Sequence, residues 1–182
     1  MQNYFLSYIK KIYTIQSSLD LLKIEKLKKL ILKTSKTGGR VILFGNGGSS
    51  ATASHVAVDL TKNAGIQSIT FNEYDLITCF SNDYGYENWI SKCINFYGNK
   101  NDLIIFLSCS GNSLNLVKAC YLAKKLKIKT VCLTGFKKNN KLNSIKNNLN
   151  IWINSQSYNQ VEIIHFVILL SIIDKIIKEK KK

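Results

Sequence analysis

The chain holds only two histidines, and each stands at helical spacing from a carboxylate. His55 and Asp59 lie at i and i+4, and Glu162 and His165 at i and i+3, so the members of each pair share a helix face. Such nitrogen and oxygen donors could hold a metal ion, or act as acid and base in proton transfer. For His165, flanked by Ile164 and Phe166, a core histidine is the alternative. Hydroxyls come from two other stretches. Val41 to Phe44 is an apolar run followed by Gly45-Asn46-Gly47-Gly48-Ser49-Ser50, and Leu103 to Leu107 is followed by Ser108-Cys109-Ser110-Gly111-Asn112-Ser113. Each reads as a buried strand, a turn and a helix, with Ser49 or Ser50 expected to cap the first helix and Ser113 to begin the second. Backbone N–H groups and the positive end of each helix then face the turn and make an anion site. Neither turn matches a dinucleotide or triphosphate glycine motif. A phosphate monoester held by hydroxyls fits better than a nucleotide.

The elements that must position these residues follow from the apolar pattern. Strands are expected at 40–44, 67–71, 102–107, 130–133 and 149–153, with helices near 49–63, 74–82, 86–97, 113–127 and 157–179. This alternation predicts an α/β fold of three layers, a five-stranded parallel sheet of flavodoxin-like order flanked by helices. In the order 2-1-3-4-5, strands 1 and 3 are neighbours at the topological switch point, so both Ser/Gly turns open into one crevice. Residues 1–36 carry apolar side chains at three- and four-residue spacing, from Phe5, Ile9 and Ile12 to Leu30 and Leu32, and read as an amphipathic N-terminal helical extension broken near Ser17-Ser18. It packs either on its own sheet or on other subunits. The Asn- and Lys-rich stretch 137–148 reads as a mobile surface loop without chemistry. The core then spans 40–179 of a single domain.

Gly45-Asn46-Gly47-Gly48-Ser49, His55, Asn82-Asp83, Ser108 to Ser113, Leu133-Thr134-Gly135 and Glu162-x-x-His165 together resemble the sugar isomerase (SIS) domain, in its phosphoheptose isomerase branch. The resemblance implies that Ser108, Cys109, Ser110 and Ser113 hold the phosphate end of a sugar phosphate, and that Asn46, Gly47, Gly48, Ser49, Asn82 and Asp83 face the sugar. It also implies a homotetramer built on the N-terminal helices, with active sites shared between chains. In that branch a His and a Glu on the helix after the first turn, with a Gln and a second His on the last helix, form a zinc site. Here those positions hold His55, Asp59, Glu162 and Leu170. At ~100° per residue, His165 points ~140° away from position 170 and cannot replace the missing imidazole. Any zinc would therefore rest on His55, Asp59 and Glu162, and proton transfer on Asp59 or Glu162. Cys109 stands where the branch carries Thr or Ser.

The reading this favours is an aldose–ketose isomerase working through an enediolate on sedoheptulose 7-phosphate or a related ketose phosphate. Two alternatives stay open: a non-catalytic SIS-domain protein that binds phosphosugars, or one that associates with a replication initiator. Composition narrows the partners. The formal charge is +15, but Arg40 is the only arginine among 26 basic residues, and no aromatics are interleaved with a basic patch. That argues against a nucleic-acid surface and for steering of an anionic substrate. Five cysteines without C-x-x-C spacing read as reduced thiols of a cytoplasmic protein. No run approaches the ~18 apolar residues of a membrane span.

Overall fold

The computed structural model describes residues 3–181. Helices α1 (Tyr4–Ser17) and α2 (Leu21–Lys36) precede the alternating part: β1 (Val41–Phe44), α3 (Gly48–Lys62), β2 (Ser68–Ile69), α4 (Tyr74–Tyr84), α5 (Trp89–Tyr97), β3 (Leu103–Ser108), α6 (Leu114–Lys125), β4 (Lys129–Thr134), α7 (Lys141–Ser144), β5 (Leu149–Trp152) and α8 (Tyr158–Lys180). The break between α1 and α2 falls where the pattern places it. Asp20 caps α2 there, its carboxylate accepting from the amides of Leu22 and Lys23.

All strand pairs are parallel, in the order β2-β1-β3-β4-β5. Alternate side chains point to opposite faces, so each face builds its own core. Val41, Leu43, Ile105, Leu107, Val131 and Leu133 meet α1, α2, α3 and α8. Ile42, Phe44, Ile104, Phe106 and Cys132 meet α5, α6 and α7. The three expected layers are present, and β1 and β3 lie side by side with Phe44 opposite Phe106 at the ends that lead into the two turns.

Two local expectations change. The second strand shortens to two residues because Phe71 leaves the sheet to stack between Phe44, at 5.8 Å, and Tyr97, at 5.1 Å. The stretch 137–148, expected as a mobile loop, instead contains α7 and buries Asn140 and Leu142. Asn140 explains the order. Its Oδ1 accepts from the Asn143 amide at 2.9 Å, while its Nδ2 donates to the carbonyls of Gly135 and Lys137. Of the five cysteines, Cys93, Cys109, Cys120 and Cys132 are buried, Cys79 is exposed and none is disulfide-bonded. Among the described residues no helix is long and apolar enough to cross a membrane.

Candidate active site

The two Ser/Gly turns do open into one crevice. Asn46, Ser49, Ser108, Cys109, Ser110, Ser113, Tyr158 and Glu162 line a cavity of about 110 Å³. The first turn departs from expectation at its cap. Gly47, with φ of 54°, occupies the N-cap position, so α3 starts at Gly48 and neither Ser49 nor Ser50 caps it. Ser49 is freed to face the crevice, its Oγ 3.8 Å from Cys109 Sγ. In α3 the amides of Ser49 and Ser50 donate back to the Asn46 carbonyl, and in α6 that of Leu116 donates to Asn115 Oδ1, so the amides of Gly48, Leu114 and Asn115 are the ones left for a ligand. Ser113 is the N-cap of α6 as expected, and the Ser108 hydroxyl donates to its Oγ at 3.4 Å.

Gly48 leaves room for a side chain of α8. A Cβ there would run into the carboxylate of Glu162, which lies directly on this part of the turn. That contact brings a carboxylate from the last helix to the mouth of the first turn. In the second turn Gly111 has φ of 65°, and a Cβ there would overlap the Asn140 side chain. The amide of Leu142 donates to the Gly111 carbonyl at 2.9 Å, and that of Lys141 to Asn112 Oδ1 at 3.1 Å. The stretch 137–148 is therefore a buttress for the second turn. The sequence reading missed this role, and the only signal was its run of asparagines.

Asn46 is fixed from behind. Its side-chain amide exchanges hydrogen bonds of 3.0 and 3.1 Å with Asn115, and its Oδ1 accepts a third from the Tyr86 hydroxyl at 3.2 Å. Neither Asn115 nor Tyr86 stood out in the sequence. Cys109 stays a neutral thiol. Burial pushes it up to about 11, the Ser49 hydroxyl pulls weakly downward, and the nearby Glu162 carboxylate pushes further up. The thiol donates to the Tyr158 carbonyl at 3.7 Å.

The remaining candidates lie elsewhere on the chain. His55 Nε2 and Asp59 Oδ2 are 3.3 Å apart on α3, Asn63 donates to the other Asp59 oxygen, and the imidazole stands edge-on to Phe166 at 5.0 Å. More than half of the His55 side chain is exposed. Neither residue lines the crevice that holds Glu162. Asn82 and Asp83 end α4 in the open, hydrogen-bonded to each other at 3.0 Å. Among the described residues no three His, Cys, Asp or Glu side chains gather as a metal-holding group. His55, Asp59 and Glu162 therefore do not form a zinc site within one chain. Leu170 is partly buried against the core beside Phe166. His165 is fully enclosed, and neither ring nitrogen has a hydrogen-bond partner.

With this geometry in place, the SIS domain matches residues 4–135, a stretch that includes both turns and ends before Glu162. The chain is 36% identical over 135 residues to a phosphoheptose isomerase of Sodalis glossinidius, covering 69% of this chain and 70% of that protein. It is 36% identical over 160 residues to a phosphoheptose isomerase of Buchnera aphidicola, covering 81% of each. Among solved structures, a phosphoheptose isomerase from Neisseria gonorrhoeae superposes with a TM-score of 0.88 at 21% identity, over 96% of this chain and 98% of that one.

Proposed function

Because this chain belongs to the SIS domain family, in its phosphoheptose isomerase branch, we propose that it isomerises sedoheptulose 7-phosphate, or a related ketose phosphate, to the corresponding aldose phosphate. The observation that carries this reading is the Glu162 carboxylate, lying against Gly48 in a crevice that Ser108, Ser110 and Ser113 also line. Hydroxyls and uncapped amides bind the phosphate at one end, and the base waits at the other.

In the proposed reaction Glu162 takes a proton from C1 of the ketose, and the electron pair moves into a C1–C2 enediolate. Amide N–H groups of the first turn, with the Asn46 side chain, stabilise the charge that develops on the C2 oxygen. The same carboxyl group returns the proton to C2, and proton exchange between the two oxygens completes the aldose. The net change moves hydrogen from C1 to C2, with no external oxidant. Asn46 suits its role because Asn115 and Tyr86 fix its amide before substrate arrives.

The proposal extends to assembly. Phe5, Ile9 and Tyr13 of α1, and Leu21 and Leu22 of α2, are largely exposed apolar side chains. Their burial between chains fits a homotetramer in which His55, Asp59, Asn82 and Asp83 serve crevices formed at subunit contacts. Four buried, unpaired thiols fit a reducing compartment such as the cytoplasm. The test is proton NMR of sedoheptulose 7-phosphate in D₂O with the purified protein. Deuterium at C2 of a new aldose and, by return through the enediolate, at C1 of the recovered ketose, both lost in Glu162→Gln, is the expected result. No exchange and no product with the wild type refutes the reading.

A further inference from the structure

Phe136 follows β4 with φ of 54°, in the left-handed region that a bulky aromatic residue rarely adopts. The conformation is clamped from both sides of its peptide units. Its amide donates to the Ser155 carbonyl at 2.8 Å, and the Trp152 indole donates to its carbonyl at 3.2 Å. Ser155 is itself buried, its hydroxyl donating to Gln160 Oε1 at 2.7 Å and accepting from the Ser157 amide at 3.2 Å. The strained residue is thus over-determined by the connection that leads into α8, which is where such strain persists.

What the strain achieves is the placement of a ring. The Phe136 centroid lies 4.8 Å from that of Tyr158, with the planes tilted by 57°. Tyr158 opens α8, stands one helical turn before Glu162 on the same face, and lines the crevice with it. Phe136 packs against the core, yet 59% of Tyr158 is exposed, so the core does not account for where the tyrosine ring sits. A strained backbone that holds an exposed aromatic at the edge of a polar crevice points to a ligand contact.

We propose that Tyr158 is a specificity-determining wall of the crevice, packing its ring on the carbon chain of the bound sugar phosphate, and that Phe136 is the positioning residue that holds it there. The proposal rests on the phosphosugar reading and deepens it. It separates the two ends of the ligand: the serine turns bind phosphate whether or not the wall is present, and only the carbon chain meets Tyr158.

The test compares the KM of sedoheptulose 7-phosphate with the inhibition constant of inorganic phosphate, which fills the serine end alone. In Tyr158→Ala the KM is expected to rise about fivefold, the scale of one lost aromatic contact, with the phosphate constant unchanged. Phe136→Gly removes the ring and relieves the left-handed strain, which offsets part of the lost core packing, and its KM is expected to rise like that of Tyr158→Ala while the protein stays folded by circular dichroism. Phe136→Tyr keeps the wild-type KM. An unmoved KM in both Tyr158→Ala and Phe136→Gly overturns the wall, as does a phosphate constant that rises in parallel. A wild type without turnover overturns the isomerase reading, and the wall with it.

Discussion

His165 provides a stability test whose size follows from its surroundings. The imidazole is 1% exposed, and neither nitrogen has a hydrogen-bond partner. Burial pushes its pKa from an ordinary 6.5 down to about 4, with the Thr134 backbone pulling weakly upward. Between those two pH values the unfolded chain carries a proton that the folded one rejects, so stability falls as the pH is lowered from 6.5 towards 4. At ~1.4 kcal/mol per pH unit, the loss approaches about 3 kcal/mol. Replacing His165 with Leu removes the titrating group and its orphaned polar atoms, at a cost within ~1 kcal/mol at pH 7.5. Urea unfolding of both proteins at fixed concentration, from pH 7.5 to 4.0, is the assay. The carboxylates titrate in both and cancel, so the wild type should lose about 3 kcal/mol relative to the variant. Parallel curves would refute the reasoning, because they require an imidazole that is already paired or hydrated when folded.

Three further outcomes are expected. Glu162→Gln should lower kcat at least ~100-fold with an unchanged circular dichroism spectrum, as loss of a single general base does; a smaller fall moves the base elsewhere. Asn140→Ala strips partners from the Gly135 and Lys137 carbonyls and the Asn143 amide, so urea unfolding should report a loss of about 2 kcal/mol. Its KM should also rise, because the Gly111 turn loses its support, and a normal KM would separate the loop from the site. Iodoacetamide at pH 7.5 followed by mass spectrometry should label exposed Cys79 first and spare Cys109, whose thiol is pushed up to about 11. Early labelling of Cys109 would mean that the crevice is more open than 110 Å³.

Strand order and the shared crevice were legible because they depend on local signals. The runs Val41 to Phe44 and Leu103 to Leu107 are apolar on both faces, and each is followed by a turn that only small or hydroxyl-bearing residues can make. The Gly47 cap was not legible, since one residue of positive φ moves the helix start without changing the pattern. The Asn140 buttress was hidden for another reason. Asparagines in a polar run signal a loop, and only the fold shows that one of them packs on Gly111, 29 positions away in sequence. Asp59 and Glu162 read alike as carboxylates near the turns. The structure separates them, because position 59 lies nearly three helical turns from the crevice and position 162 lies on it.

The contact between Asn140 and Gly111 also bears on where this chain can change length. Asn-rich surface stretches are usually where insertions and deletions are absorbed. Here one added residue between β4 and α7 would shift Asn140 out of register with the second turn, and Lys141 and Leu142 with it. In this fold the polar segment that looks most dispensable serves as the spacer that sets the shape of the second turn.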